Sequence, residues 1–84
     1  MIEVIVRSKN GIHARPASVI ADLSSKYTGT VSFHKEGKVY NGKSIMSIMS
    51  MGLRENEMVT IDVVGEDASI LEQKLVEIIN NITE

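Results

Sequence analysis

Cysteine and tryptophan are absent from the 84-residue sequence, which has only one phenylalanine, two tyrosines and one proline. Without cysteine, the chain can form neither a disulfide framework nor a thiolate metal site. Packing alone must therefore stabilise the fold, and the core must be short of aromatic side chains. A chain without disulfides also suits a reducing compartment, so we expect a cytoplasmic protein.

The sequence also lacks an excess of one charge and a long apolar run. Nine Lys and Arg against eleven Asp and Glu give a net charge of −2, which argues against direct binding of nucleic acid. No apolar run approaches the roughly 20 residues of a membrane span, and the opening MIEVIVRSK lacks the plan of a signal peptide. We expect a soluble chain with no membrane insertion, and residues 1–84 suffice for a single small domain.

The spacing of apolar residues predicts seven secondary-structure elements. Apolar residues at alternate positions predict strands over residues 2–6, 30–34, 39–41 and 59–63. Apolar residues at helical spacing predict helices over residues 14–26, 44–51 and 68–82. The order is βαββαβα, and the polar residues that alternate along the strands indicate a sheet with one solvated face. We therefore predict an α+β fold, a two-layer open-faced β-sandwich in which three helices cover one face of a four-stranded antiparallel sheet.

The last predicted helix has two distinct faces. Asp67 precedes it, where a carboxylate can cap the helix start. Glu72 lies on the polar side, so we expect its carboxylate to be in solvent. The apolar face, flanked by Ile70 and Ile79, is made by Leu71, Leu75, Ile78 and Ile82.

The stretch NGIHARPAS, residues 10–18, places a histidine at the start of the first helix. Pro16 fits the first helical turn because the NH groups there have no carbonyl partner, whereas a residue before proline is biased away from helix, so the helix can start one or two residues later. In either case the helix start, the positive end of its dipole and the guanidinium of Arg15 converge on His13. They form an anion site, to which Ser8 or Ser18 could add a hydroxyl.

Such surroundings disfavour the imidazolium form of His13 and leave a ring nitrogen with a free lone pair, which makes it a nucleophile. The same groups would stabilise a dianion attached to that nitrogen. The pattern therefore predicts a phosphoryl group held on histidine. The alternative is that His13 only caps the helix and that Arg15 is a solvated charge.

A second stretch, GKSIMSIMSMG, predicts a short helix with two apolar sides. At about 100° per residue, Ile48 and Met51 point to one side, and Ile45, Met46 and Met49 to another. One set can belong to the core while the other forms an exposed, adaptable contact surface. The alternative is that all five side chains are buried.

The remaining candidates are weaker. His34 ends an alternating strand, which favours a surface side chain over a metal ligand. Glu55 and Glu57 have no partner at the spacing of a metal or acid–base pair, so we expect both to be solvated. No glycine-rich phosphate loop is present. We therefore expect no metal, no cofactor and no binding of ATP.

Together with the strand VTIDVVGEDA, the two stretches resemble the HPr family, the histidine-containing phosphocarriers of the bacterial phosphoenolpyruvate-dependent sugar phosphotransferase system. The resemblance covers nearly the whole chain. It implies a cytoplasmic carrier that enzyme I phosphorylates on Nδ1 of His13, with Arg15 as the charge partner of the phosphate. The carrier would pass the group to the IIA domains of sugar permeases, and would not itself be an enzyme because it is consumed and regenerated in each cycle.

The resemblance also implies a docking surface and a regulatory site. The expected docking surface consists of Ala14, Ser18, Ile45, Met46 and Met49. Ser44, which we expect to cap the second helix, matches the serine that HPr kinase/phosphorylase modifies in many Gram-positive relatives, and the product assists a catabolite-control transcription regulator.

The sequence departs from the family pattern at a few positions. Ser47 stands where many relatives carry glycine, and Asp22 and Ser25 replace lysines of some relatives, which would weaken steering toward acidic partners. Two alternatives stay open: a purely regulatory HPr-like binding protein, although such relatives lack the active histidine, and a carrier in a nitrogen-related phosphorelay. We expect a monomer, because a carrier gains nothing by covering its docking surface.

Overall fold

The computed structural model describes residues 1–82 and contains seven elements. In chain order they are β1 (Ile2–Ile5), α1 (Ala14–Ser25), β2 (Thr30–Lys35), β3 (Lys38–Asn41), α2 (Ile45–Ser50), β4 (Met58–Val64) and α3 (Ala68–Asn80). The strands form one antiparallel sheet in the order β1-β4-β2-β3. The predicted α+β class and the order βαββαβα are confirmed. No helix of the described residues is both long and apolar enough to cross a membrane.

The central strands carry the alternation that builds the core. Val59 and Ile61 of β4 and Phe33 of β2 are fully buried, whereas Thr60, between the two β4 residues, is not. Side chains that alternate along a strand point to opposite faces, so the buried set faces the helices and the other face stays open to solvent. Ile20 of α1, Ile48 of α2 and Leu75 and Ile79 of α3 belong to the same core.

Helix α1 begins directly after His13. Arg15 is helical although it precedes a proline, and Pro16 lies buried in the first turn, where its missing NH costs no intrahelical hydrogen bond. The bias of a residue before proline therefore does not delay the helix. The first turn thus lies beside the histidine, as the sequence indicates.

The buried face of helix α3 shares Leu71 and Leu75 with the expected face but is turned toward Ile79. The buried residues are Leu71, Leu75 and Ile79, which are four residues apart and form one ridge along the helix. Ile78 and Ile82, expected on the apolar face, are half-buried and pack against the core, whereas Ile79, expected at the flank of that face, is fully buried. Asp67 is the N-cap residue, but its backbone is left-handed (φ 56°) and its side chain makes no capping hydrogen bond.

The expectation that Glu72 is solvated is also wrong. Its Oε2 accepts a hydrogen bond from the backbone NH of Val63 at 3.1 Å and lies 3.4 Å from the amino group of Met1. The reason lies in the sheet: β1 begins at Ile2, opposite Ile61, so no residue of β1 faces Val63. The carboxylate replaces the missing strand partner at this edge of the sheet.

Candidate functional site

His13 occupies the N-cap position of α1 without using its side chain as a cap. Its backbone is extended, with φ −100° and ψ −168°, and its ring makes no capping hydrogen bond. Its carbonyl oxygen instead accepts the NH of Ala17 at 3.0 Å and closes the first turn. The structure therefore does not support the alternative in which the imidazole only caps the helix.

The two nitrogens of the His13 ring are not equivalent. The residue is half-buried, and its Nε2 is fully buried without a hydrogen-bond partner among the described residues. Buried polar atoms are usually hydrogen-bonded, so this atom is an exception next to a helix start. Burial closes the Nε2 side of the ring to an approaching molecule.

Three expected site residues lie on the accessible side of the first two turns of α1. Ala14, Arg15 and Ser18 are all exposed. Ala14 and Ser18 are four residues apart and therefore share one helix face. Arg15 lies in the first turn of α1, at the positive end of the helix dipole. The chain thus carries a guanidinium two residues after the histidine and the positive end of a helix dipole directly after it, the two features on which the prediction of an anion site rests.

The loop before the histidine is held by specific backbone contacts. Gly11 has φ 63°, and a β-carbon there would overlap the carbonyl oxygen of Leu53. That same oxygen accepts the NH of Ile12 at 3.2 Å. The Ser8 hydroxyl is buried and donates to the Gly11 carbonyl at 2.7 Å, so the idea that Ser8 offers its proton to an anion is wrong: it shapes the loop instead.

Helix α2 shows the division of apolar residues that its spacing predicts. Ile48 and Met51 are buried, with 1% and 4% of their surface exposed, whereas Met46 is 77% exposed. Ile45 and Met49 are each 41% exposed. The alternative in which all five are buried is excluded. α2 therefore presents an apolar patch, made of Ile45, Met46 and Met49, to solvent.

The start of α2 is capped as expected. The Ser44 Oγ accepts the NH of Ser47 at 3.1 Å. The Ser47 Oγ in turn accepts the NH of Asn41 at 2.9 Å, so the residue that departs from the glycine of many relatives ties α2 to the end of β3. A shallow groove between α1 and α2 brings Ser18, Ser44, Ile45 and Met46 together.

The carboxylate of Glu57, expected in solvent, is engaged instead. Its Oε1 accepts the backbone NH of Arg54 at 2.8 Å and the ammonium of Lys35 at 3.3 Å. The hydrogen bond from Arg54 is the main cause that lowers the pKa of Glu57 from 4.5, with Lys35 adding to it against the opposing effect of burial. No pattern in the sequence indicates this contact, since Lys35 and Glu57 are 22 residues apart.

The second histidine lies away from this region. His34 is half-buried on the open face of the sheet, with its Nε2 at 3.9 Å from the Asp62 carboxylate. Within residues 1–82, no group of three or more His, Asp or Glu side chains is placed to hold a metal ion. Glu55, the other carboxylate considered above, is exposed.

Comparison with known proteins identifies the family. The model of the PTS HPr component phosphorylation site matches residues 1–81. The phosphocarrier protein HPr of Borreliella burgdorferi is 30% identical over 98% of this chain and 95% of its own length. The crystal structure of a phosphocarrier protein HPr from Bacillus anthracis is 35% identical, with a TM-score of 0.86 over 93% of each chain.

A third similar protein carries a regulatory description. Crh, a catabolite repression protein of Bacillus subtilis described as a swapped dimer, is 33% identical, with a TM-score of 0.77 over 100% of this chain and 97% of its own. The family model covers nearly the whole chain, and the HPr relatives are matched along most of their length. The chain belongs to the HPr family of phosphocarrier proteins of the phosphotransferase system.

Proposed function

We propose that His13 accepts a phosphoryl group on Nδ1 from phosphorylated enzyme I and passes it to the IIA domains of sugar permeases. The observation that carries this proposal is the state of the ring: it makes no capping hydrogen bond, and its Nε2 is buried. Nδ1 is then the nitrogen through which a partner reaches the imidazole. Its lone pair forms the N–P bond while the bond to the donor breaks and leaves its electron pair on the donor.

The surroundings suit a group that is held briefly and given up again. The helix start and Arg15 stabilise the phosphate dianion, yet the site lies at the surface, where a second protein can take the group. Because each cycle consumes and regenerates the phosphorylated form, the protein is a stoichiometric cytoplasmic carrier and not an enzyme. Neither a metal nor a cofactor has a part in the transfer.

The partners dock, in this proposal, on Ala14, Ser18 and the apolar patch of α2. Met46 and Met49 are flexible, polarizable side chains that adapt to surfaces of different shape. A single patch can therefore serve enzyme I and several IIA domains. The protein acts as a monomer, because a carrier that docks with two partners in turn gains nothing from covering the patch, although the similar Crh is described as a dimer.

Ser44 is the proposed regulatory site. It lies at the start of α2 and in the groove beside Ile45 and Met46, so HPr kinase/phosphorylase would place a dianion at the edge of the docking surface. The helix start tolerates that charge, while acidic partners are repelled. The phosphorylated form would assist a catabolite-control transcription regulator, a role in keeping with the catabolite repression description of Crh.

Two labelling reactions test these assignments. Phosphoenolpyruvate with enzyme I should give an acid-labile, base-stable phosphate on the wild type and none on His13→Ala. His34→Ala, which removes the other histidine, should still be labelled, and circular dichroism should show that both variants are folded. Label on His13→Ala would disprove the carrier proposal.

The second reaction uses ATP and the kinase. Modification at Ser44 alone, with no label on His13 in the first reaction, would instead favour a purely regulatory protein.

If Ser44 is regulatory, Ser44→Asp should slow labelling by enzyme I. An unchanged rate would argue against the proposed repulsion at the docking surface.

A further inference from the structure

The ammonium group of Lys35 lies in an unusual position for a lysine. Only 13% of its side chain is exposed, and Nζ donates to the carbonyl oxygens of Met51 at 2.9 Å and Gly52 at 3.4 Å. A third hydrogen bond, of 3.3 Å, goes to Oε1 of Glu57, and the exposed Glu36 carboxylate lies at 4.0 Å. Ordering and partly burying a lysine is costly, so these contacts offset a real penalty.

The two carbonyls belong to the end of α2. Met51 is the C-cap residue of this helix, and α2 has no basic residue in its own last turn. A cation near a helix C-terminus stabilises the unpaired carbonyls and the negative end of the dipole. Lys35 lies at the end of β2, and its ammonium group therefore takes the place of the basic residue that is missing from the last turn of α2.

The other contacts of Lys35 reach the segment that follows α2, residues 52–57. The Glu57 carboxylate that it binds also accepts the Arg54 NH at 2.8 Å, and the Glu57 carbonyl accepts the NH of Val6 at 2.9 Å. Lys35 and Glu57 together therefore fold residues 52–57 back onto the sheet beside β1.

The loop that carries His13 rests on this same segment. The Leu53 carbonyl accepts the Ile12 NH, and Gly11 is packed so closely against Leu53 and Arg54 that no β-carbon fits. Ile12 and Leu53 are both buried. A shift of the segment would therefore move the histidine with it.

We propose that Lys35 is a positioning residue that fixes His13 relative to the apolar patch of α2. One ammonium group holds the end of the docking helix, and through Glu57 it holds the segment that supports the histidine loop. This inference rests on the proposed function, since the distance between patch and ring matters only if a docked partner transfers phosphate. Near-attack geometry is sensitive to displacements of about 1 Å.

The test replaces Lys35 with methionine and uses Lys38→Met as its matched control. Lys38 faces Lys35 in the β2–β3 register but is exposed. The measurement is the second-order rate constant for phosphorylation by phosphorylated enzyme I, at a temperature where unfolding curves show every variant to be folded. We expect Lys35→Met to lower it about tenfold and Lys38→Met to leave it unchanged. Lys35→Arg, whose donors can reach the same carbonyls, should recover most of the rate.

Amide hydrogen exchange gives a second readout that does not depend on phosphorylation. In Lys35→Met, the Ile12 amide should exchange faster than in the wild type. The amide of Ile61, in the central strand β4, should exchange at the same rate as in the wild type. An equal increase at both would show general destabilisation and overturn the proposal. So would an unchanged rate constant in a folded Lys35→Met.

A further variant covers the case in which Lys35→Met does not fold. Glu57→Gln keeps the size of the side chain but removes its charge, and it should show the same two effects in weaker form. If Glu57→Gln leaves both the rate constant and Ile12 exchange unchanged, the proposal is wrong. A wild type that accepts no phosphate would refute the proposed function, whereas the exchange of Ile12 would still test whether Lys35 holds the loop.

Discussion

Ser24 lies on the inner side of α1 with its side chain fully buried, and its Oγ has no hydrogen-bond partner within residues 1–82. A buried hydroxyl without a partner has lost its hydrogen bonds to water and gained none in the protein, which is unfavourable. Alanine has no hydroxyl to bury and is also a better helix former. We expect Ser24→Ala to raise the free energy of unfolding by about 1 kcal/mol, measured by urea denaturation.

The neighbouring Ser25 provides the control for this substitution. Its hydroxyl is exposed and donates to the Asp22 carbonyl, so Ser25→Ala should change the free energy of unfolding little. A loss of stability in Ser24→Ala would show that the buried hydroxyl has a favourable partner.

The pKa of Glu57 leads to a pH-dependent prediction. The Arg54 hydrogen bond, with help from Lys35, lowers the pKa of this carboxyl below 4.5 in the folded state. The folded state therefore binds fewer protons than the unfolded chain at acid pH, and the stabilisation is complete above the unfolded pKa and lost as the pH falls through the folded one. Glu57→Gln should be less stable than wild type at neutral pH, with a difference that shrinks below about pH 4.5.

Urea denaturation across this pH range measures the effect, and Glu55→Gln, at an exposed position two residues away, is the control. A Glu57→Gln difference that does not change between neutral and acid pH would contradict the assigned contacts.

Single residues differ in how far the sequence predicts them. Local rules predict the helical turn of Arg15 and Pro16 directly after His13. They do not predict the contact of the preceding Gly11 and Ile12 with Leu53, which is distant in the sequence. The approach of His34 to Asp62 depends on the register of β2 and β4, which places Ser32 opposite Asp62. Alternation alone predicts which face a residue is on, but not which strand lies next to it.

At the scale of the loop before α1, Gly11 and Gly37 form a natural pair for comparison. Both have positive φ, 63° and 79°, but a β-carbon would overlap Leu53 at the first and meet nothing at the second. Alanine at Gly37 should cost about 1 kcal/mol for its backbone conformation. Alanine at Gly11 should cost more, because it must also displace the backbone of Leu53 and Arg54.

Thermal or urea unfolding of the two variants measures this difference, and phosphorylation by enzyme I should slow only in Gly11→Ala. Equal losses of stability with equal rates would mean that the contact between Gly11 and Leu53 does not support the site.

The helices show where periodicity succeeds and where it fails. In α2, the rotation of about 100° per residue correctly predicts that Ile48 and Met46 lie on different sides of the helix. The prediction succeeds because a six-residue helix offers few alternative faces for packing. In α3 the apolar residues satisfy two faces nearly equally well. Packing against α1 and β4 selects the face with Ile79 over the one with Ile78, and that choice depends on tertiary contacts.

Among residues 1–82, exposed apolar side chains occur on more than one surface, and Ile45 and Met46 of the α2 patch line a groove together with Ser18 of α1. Met46→Glu should slow phosphorylation by enzyme I about tenfold with little loss of stability, because the side chain is already exposed. Ile70→Glu is the matched control: it is 55% exposed on α3, in a groove with Leu23 and Tyr27. Equal slowing by both variants, or none by Met46→Glu, would contradict the docking surface.

The sequence predicts the order of the elements, but it does not predict the long-range contacts that hold them in place. Alternation and helical spacing predict seven elements and a sheet with one open face, because both are local properties. They do not predict the strand order β1-β4-β2-β3. The contacts of Lys35 with Met51 and Glu57 depend on that order, and nothing in the spacing of these residues indicates them.

The identity of the phosphorylated atom decides whether His13 is the carrier residue. Nitrogen NMR of the histidine rings, recorded with phosphorus coupling after reaction with phosphoenolpyruvate and enzyme I, distinguishes Nδ1 from Nε2 and His13 from His34. Since Nε2 of His13 is buried, we predict a phosphoryl group on Nδ1 of His13 alone. Phosphorus bonded to Nε2, or to His34, would contradict it.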